Sequence, residues 1–224
     1  MSKRPVSNPL ALAVLACLWE RPMYPYEMTT TLRERGKEDS IRLNFGSLYA
    51  VIKSLEKHGL IVEERTEREG NRPERIVYSI TDAGRIEAHD WLRELIGTPT
   101  KEYPAFETGL SLLPLLTPDE AVELLRERLV RLDGELEQRS AMAEQAVSAG
   151  LPELFLVEFH YRVAMIRAER EFVAGLLERL EGGELVGLGA WRSLHELVER
   201  GATAEEIQRQ IANYPLEGAA PPEP

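Results

Sequence analysis

The sequence holds a single cysteine, Cys17, so no disulfide can form within the chain. One thiol fits a reducing compartment, and among apolar neighbours it reads as a packing residue rather than a nucleophile. Also missing is any apolar run of about 18 residues, the length that a membrane helix needs. The apolar start, MSKRPVSNPLALAVLACLWE, is closed by Glu20 without a small-residue cleavage site. Both absences predict a soluble, unexported, cytoplasmic protein with no membrane partner. Catalytic signatures are lacking too. There is no Gly-rich phosphate loop, no HExxH and no paired-cysteine spacing, and His58, His89, His160 and His195 are scattered. No enzyme, cofactor or metal site is expected.

Basic charge is in short supply overall, with a formal net charge of −11 over 224 residues. Residues 1–96, however, carry as many basic as acidic side chains, so the whole deficit falls after residue 96. A neutral front and an acidic rear predict two modules with different partners.

The front reads as a short series of elements. Asn8-Pro9 is a helix start, a capping side chain followed by a proline where no amide donor is needed. LALAVLACLWE is apolar on nearly all sides, which predicts a central helix. A turn at Arg21-Pro22 leads to a second helix opened by Pro25 and ending near Gly36, weakened by three consecutive threonines. The third helix lies in NFGSLYAVIKSLEKHGL, with Asn44 as N-cap and Gly59 as left-handed stop. At 100° per residue, Leu48, Val51, Ile52 and Leu55 share one arc, and Gly46, Ala50, Lys53 and Lys57 share the opposite one, with Tyr49 and Ser54 on the flanks. His58 reads as a partner of the helix C-terminus. Two β-rich runs, near 60–65 and 76–80, flank a polar loop, and Arg65, Arg68, Arg72 and Arg75 lie on or beside it. Thr81-Asp82 caps a fourth helix.

Three helices followed by a basic hairpin form a winged helix-turn-helix. The small residues at one end of the third helix then have a reason: a recognition helix buries one face in its own domain and brings the other into the major groove. Lys53 and Lys57 would reach phosphates or base edges, and the wing would follow the flanking backbone or minor groove. The plainer reading of two lysines is a solvated face. Their coincidence with the hairpin and fourth helix favours the functional one.

These residues resemble the PadR family of bacterial transcriptional regulators. The resemblance is carried by LALAVLACLWERPMYPYEM, FGSLYAVIKSLEKHGLI and NRPERIVYSITDAGR, is strong over residues 8–95, and is architectural only over 100–181. It implies a dimeric repressor that binds a palindromic double-stranded DNA operator and releases it when an effector binds. By position it assigns Ser47, Tyr49 and Lys53 to DNA from the recognition helix, and Arg72 and Arg75 from the wing. With the exposed arc and the loop, the expected DNA-binding set is Gly46, Ser47, Tyr49, Ala50, Lys53, Lys57, Arg68, Arg72 and Arg75. Two positions depart from the family pattern: Pro25 precedes Tyr26 where glycine is common, and Val77 precedes Tyr78 where a second aromatic is common.

In the rear, Thr117 with Glu120 is a capping box. The helix it opens places Leu125, Leu129, Leu132, Leu136, Ala143 and Ala146 at alternating four and three spacing, interrupted by Arg139. It ends near Gly150, and Pro152 starts a second long helix that is apolar around much of its circumference up to Ile166. An antiparallel hairpin follows, and a second copy of the chain is the economical cover for the surplus apolar surface. Tyr103, Phe106, Phe155, Phe159 and His160 are best supported as ordinary packing, and the alternative is a pocket that takes a small aromatic effector.

The expected fold is mainly α with a small β hairpin. Residues 1–96 form the winged helix-turn-helix, 97–182 an antiparallel helical dimerisation domain, and 183–224 a further helical segment with a proline-rich, disordered tail. The alternative to a DNA-binding regulator is an adaptor that keeps the winged fold and binds only protein.

Overall fold

Asn8 starts the first element in the expected way. Its Oδ1 accepts the Leu10 N–H at 3.0 Å, and helix α1 runs Pro9–Glu20. The computed structural model describes Arg4, residues 6–67 and residues 75–212. Two compact units divide the chain, Met1–Glu102 and Tyr103–Pro224.

In the first unit α1 is central because it is apolar around its circumference. Leu10, Ala11, Val14, Leu15 and Leu18 are all buried, and the helix packs against α2 (Pro25–Glu34), α3 (Phe45–Lys57), β2 (Arg75–Ile80) and α4 (Asp82–Gly97). Each such leucine contributes about 1.5–3 kcal/mol by leaving water. The threonines of α2 are accommodated by bonding back along the helix, Thr29 Oγ1 to the Pro25 carbonyl and Thr30 Oγ1 to that of Tyr26. Arg4 secures the segment before α1. Its guanidinium donates to Glu87 at 2.6 Å and to Glu94 at 2.5 Å, and lies over the Trp91 ring.

Strands β1 (Ile61–Glu67) and β2 form an antiparallel hairpin. Its register runs from Ile61↔Ile80 to Glu67↔Arg75 and shifts between Glu63 and Arg65. That shift leaves Glu64 without a cross-strand partner, and its carboxylate accepts from Ser79 and Arg65 instead. Met23 adds a bridge on the other side of β2, exchanging both backbone hydrogen bonds with Tyr78 at 3.1 and 3.0 Å.

Cys17 is 2% exposed, and burial pushes its thiol up to about 11. A thiol with a raised pKa stays protonated at pH 8 and is a poor nucleophile. Native protein should therefore resist iodoacetamide at pH 8 while urea-unfolded protein is labelled fully, a difference read by intact mass; rapid native labelling would contradict the packing.

The second unit contains α5 (Ala105–Ser111), α6 (Pro118–Ser148), α7 (Val157–Glu181), α8 (Leu188–Glu199) and α9 (Ala204–Ala212). Both halves of the predicted capping box form: Glu120 N–H donates to Thr117 Oγ1, and the Glu120 carboxylate accepts the Thr117 N–H. Ion pairs Arg126–Glu181, Arg128–Glu169 and Arg170–Asp133 link α6 and α7 in antiparallel register. Between them Leu125 and Leu132 pack with Ile166, Val173, Leu177 and Leu180, and Leu188 and Trp191 of α8 join the same core. The second long helix starts later than Pro152 suggested. A 3-10 turn, Glu153–Leu156, intervenes, with Pro152 as its extended cap. The proline-rich tail expected to be disordered lies outside the described residues, and no helix among those described is long and apolar enough to cross a membrane.

Candidate nucleic-acid interface

Helix α3 is delimited at both ends by local chemistry. Asn44 Oδ1 accepts the Gly46 N–H at 2.9 Å, and Gly59, at φ 69°, closes the C-terminus with its N–H on the Glu56 carbonyl while the Leu60 N–H reaches Leu55. His58 Nδ1 lies 2.7 Å from the Ser54 carbonyl, where the ring satisfies one of the last backbone acceptors.

Between those caps the helix is two-faced. Leu48, Val51, Ile52 and Leu55 are buried in the core of the first unit. Gly46, Tyr49, Ala50, Lys53 and Lys57 are exposed, whereas Ser47 is half-buried. Tyr49 leaves 53% of its surface in solvent, a large exposure for an aromatic on a short helix. Among the described residues neither Lys53 nor Lys57 makes an ion pair, so both ammonium groups remain available. A groove-facing helix needs just this: small residues where the backbone must approach, and cations with no internal partner.

The wing is less uniformly basic than its arginines suggest. Glu63 and Glu64 are exposed on β1, and Arg65 is held by Glu64. Arg75, the first residue of β2, is exposed and has its guanidinium carbon 5.2 Å from the centroid of the Tyr24 ring. Arg68 and Arg72, both named as DNA contacts, lie outside the described residues. Three exposed or half-exposed side chains around the interface were missed in the sequence. Tyr24 has no local signal at all, Tyr26, the second residue of α2, stands 64% exposed, and Arg42 is exposed just before the Asn44 cap. A cation preceding an N-cap was the one readable hint.

A second feature lies in the other unit. A cleft of about 440 Å³ opens between α5 and the start of α6, with Phe106, Leu113, Leu116, Leu125 and Leu132 among its walls and Arg128 and Arg131 at its rim. Arg128 lies 3.7 Å from the Phe106 ring centroid, and Phe172 meets the same ring edge-on. Trp191 Nε1 donates to the Leu116 carbonyl at 2.8 Å, and His195 Nε2 reaches that of Pro114 at 3.0 Å, so α8 braces the wall. Of the effector residues named in the sequence, Phe106 alone lines this cleft. Tyr103, Phe155 and His160 are exposed and Phe159 is half-buried. The physical reason is that α7 carries apolar residues around its whole first half, and only one stripe of them can face α6.

Comparison with known proteins agrees with the fold. Residues 14–90 match the transcriptional regulator PadR-like family. The chain is similar to the negative transcriptional regulator PadR of Bacillus subtilis, 27% identical over 165 residues that make up 72% of this chain and 89% of that protein. Among solved structures, PadR of Bacillus subtilis in complex with operator DNA superposes with a TM-score of 0.62 at 21% identity, over 77% of this chain and 99% of that one. The virulence activator AphA of Vibrio cholerae gives 0.57 at 16% identity, over 77% and 98%. These relatives are regulators rather than enzymes, and they share the winged helix with its helical second unit. Residues 14–90 thus carry a PadR-like transcriptional-regulator domain, and the chain shares the fold of the PadR regulators.

Proposed function

We propose that the protein is a repressor that binds a palindromic operator as a homodimer and leaves it when a small aromatic effector binds. The observation that carries DNA recognition is the two-faced α3, with Lys53 and Lys57, which make no ion pair among the described residues, opposite a fully buried stripe. On this reading residues 1–96 are the DNA-binding module and 97–182 the dimerisation module. Gly46, Ser47, Tyr49, Ala50, Lys53 and Lys57 enter the major groove, and Arg68, Arg72 and Arg75 meet the backbone from the wing. The sign of regulation rests on the curated relative, which is a negative regulator.

Dimerisation is supported by apolar surface that a lone chain leaves in water. Val130, Met142 and Val147 of α6, and Phe155, Tyr161 and Met165 on or beside the start of α7, all have more than half of their surface exposed. A second copy would cover them, and a two-fold dimer would place two recognition helices on symmetric half-sites. Effector binding is supported by the α5–α6 cleft, whose volume suits a small molecule and whose walls include Phe106, Leu113, Leu116, Leu125 and Leu132, and by the p-coumaric acid complex of the Bacillus subtilis PadR.

The test is a footprint on the promoter regions of its own gene and its neighbours at two salt concentrations, with the mass in the same sample read by light scattering. A protected palindrome, a dimer mass and an affinity that falls steeply with salt are expected. Absence of protection at low salt from a confirmed dimer would favour a protein-binding adaptor, and a monomer at micromolar concentration would refute the dimer.

A further inference from the structure

Arg75 stands at the start of β2, at the base of the hairpin loop, where a long side chain would normally sample many rotamers. Here it is held. Its guanidinium lies over the Tyr24 ring at 5.2 Å, and Tyr24 is itself fixed on both sides. Before it, Met23 exchanges two backbone hydrogen bonds with Tyr78, which ties the approach to α2 onto the same strand that carries Arg75. At Tyr24 itself, the backbone N–H donates to the Glu27 carboxylate at 3.1 Å and the carbonyl accepts from Met28. Glu27 is in turn held by Arg21 at 3.2 Å. The backbone that carries the ring is therefore tied both to α2 and to the strand that carries Arg75.

We propose that Tyr24 is a positioning residue for DNA binding: its ring holds the Arg75 guanidinium in place so that the edge N–H groups meet a phosphate without further ordering. A guanidinium over an aromatic face keeps its in-plane donors free, which an ammonium cannot imitate. The inference rests on the reading of Arg75 as a backbone contact. It adds that the wing and the entry to α2 act on DNA as one piece. In the hairpin register Arg75 stands opposite Glu67, while Glu63 and Glu64 lie farther along β1, Glu63 opposite Tyr78.

The full-length protein can be tested on a duplex that the wild type selects from a random-sequence pool. Arg75→Ala should lower affinity and flatten the dependence of log affinity on log salt by about one unit. Tyr24→Leu should lower affinity about three- to tenfold, the range of a cation–π contact, while leaving the salt slope intact because the charge remains. Tyr24→Phe keeps the ring and should bind like the wild type. Arg75→Lys keeps the charge, loses the guanidinium over the ring and should match Tyr24→Leu, and this exposed change leaves the fold alone. In the Arg75→Ala background, Tyr24→Leu should have no further effect. Wild-type affinity for Tyr24→Leu and Arg75→Lys, or an undiminished Tyr24→Leu effect in the Arg75→Ala background, would overturn the positioning role while leaving Arg75 as a contact. An Arg75→Ala protein with wild-type affinity and slope would remove the wing contact itself, and the inference with it.

Discussion

Lys53→Glu should reduce affinity for the selected duplex by about a hundredfold for each recognition helix, with secondary structure and thermal midpoint unchanged. Losing a contact to a base edge or phosphate costs about 1–3 kcal/mol, and placing a carboxylate in the field of the DNA adds a repulsion of similar size. At about 1.4 kcal/mol per factor of ten, a loss near 3 kcal/mol gives that ratio. The fold should not notice. Lys53 is exposed without an ion pair among the described residues, and glutamate is nearly as good a helix former as lysine. Fluorescence anisotropy with labelled duplex, beside a circular dichroism melt, makes the comparison. Undiminished binding would move α3 away from the groove and leave its lysines as a solvated face.

Gly84→Ala should destabilise the first unit by about 2 kcal/mol or more, against the rule that alanine improves a helix. In α4 a Cβ on Gly84 would stand 2.0 Å from the Leu60 carbonyl oxygen and 2.8 Å from Ile80 Cγ1. The usual gain over glycine is about 1 kcal/mol, whereas an overfilled contact costs about 1–3 kcal/mol and more where backbone must yield. Here it must yield, because the Leu60 carbonyl also accepts the Thr81 N–H at 3.1 Å, at the cap of the same helix. The close approach joins α4 to the foot of the hairpin, so the substitution should also disturb the wing. Gly97→Ala, with nothing within 4 Å of its added Cβ, is the internal control and should be neutral or slightly stabilising. Urea denaturation of both variants decides the matter. An unchanged midpoint for Gly84→Ala would mean that α4 can move off the strand freely.

Much of the fold was legible because its signals are local. Asn8-Pro9, Asn44, Gly59, Thr81 and the Thr117–Glu120 box are each read from a few adjacent residues, and each cap forms. The two faces of α3 follow from a period of 3.6 residues, which sets direction around an axis whatever the rest of the chain does. Where the readings differ from the structure, the missing information was not local. The start of the second long helix slipped from Pro152 to Val157 because the chain first takes a 3-10 turn, in which Leu156 is buried. The proposed aromatic pocket dispersed for a related reason: a helix apolar all round announces surplus hydrophobic surface without saying which stripe meets which partner.

By itself the sequence determined the winged helix, the two faces of α3 and the likeness to PadR-like regulators, since caps, periodicity and the FGSLYAVIKSLEKHGLI and YSITDAGR segments are properties of contiguous residues. Only the tertiary structure decided that Tyr24 lies under Arg75, that Gly84 must stay without a side chain, and that α8 braces the wall of a cleft through Trp191 and His195. Those contacts join residues far apart in the chain. They depend on how helices and strands settle against one another, for which neighbouring residues carry no periodic or capping signal.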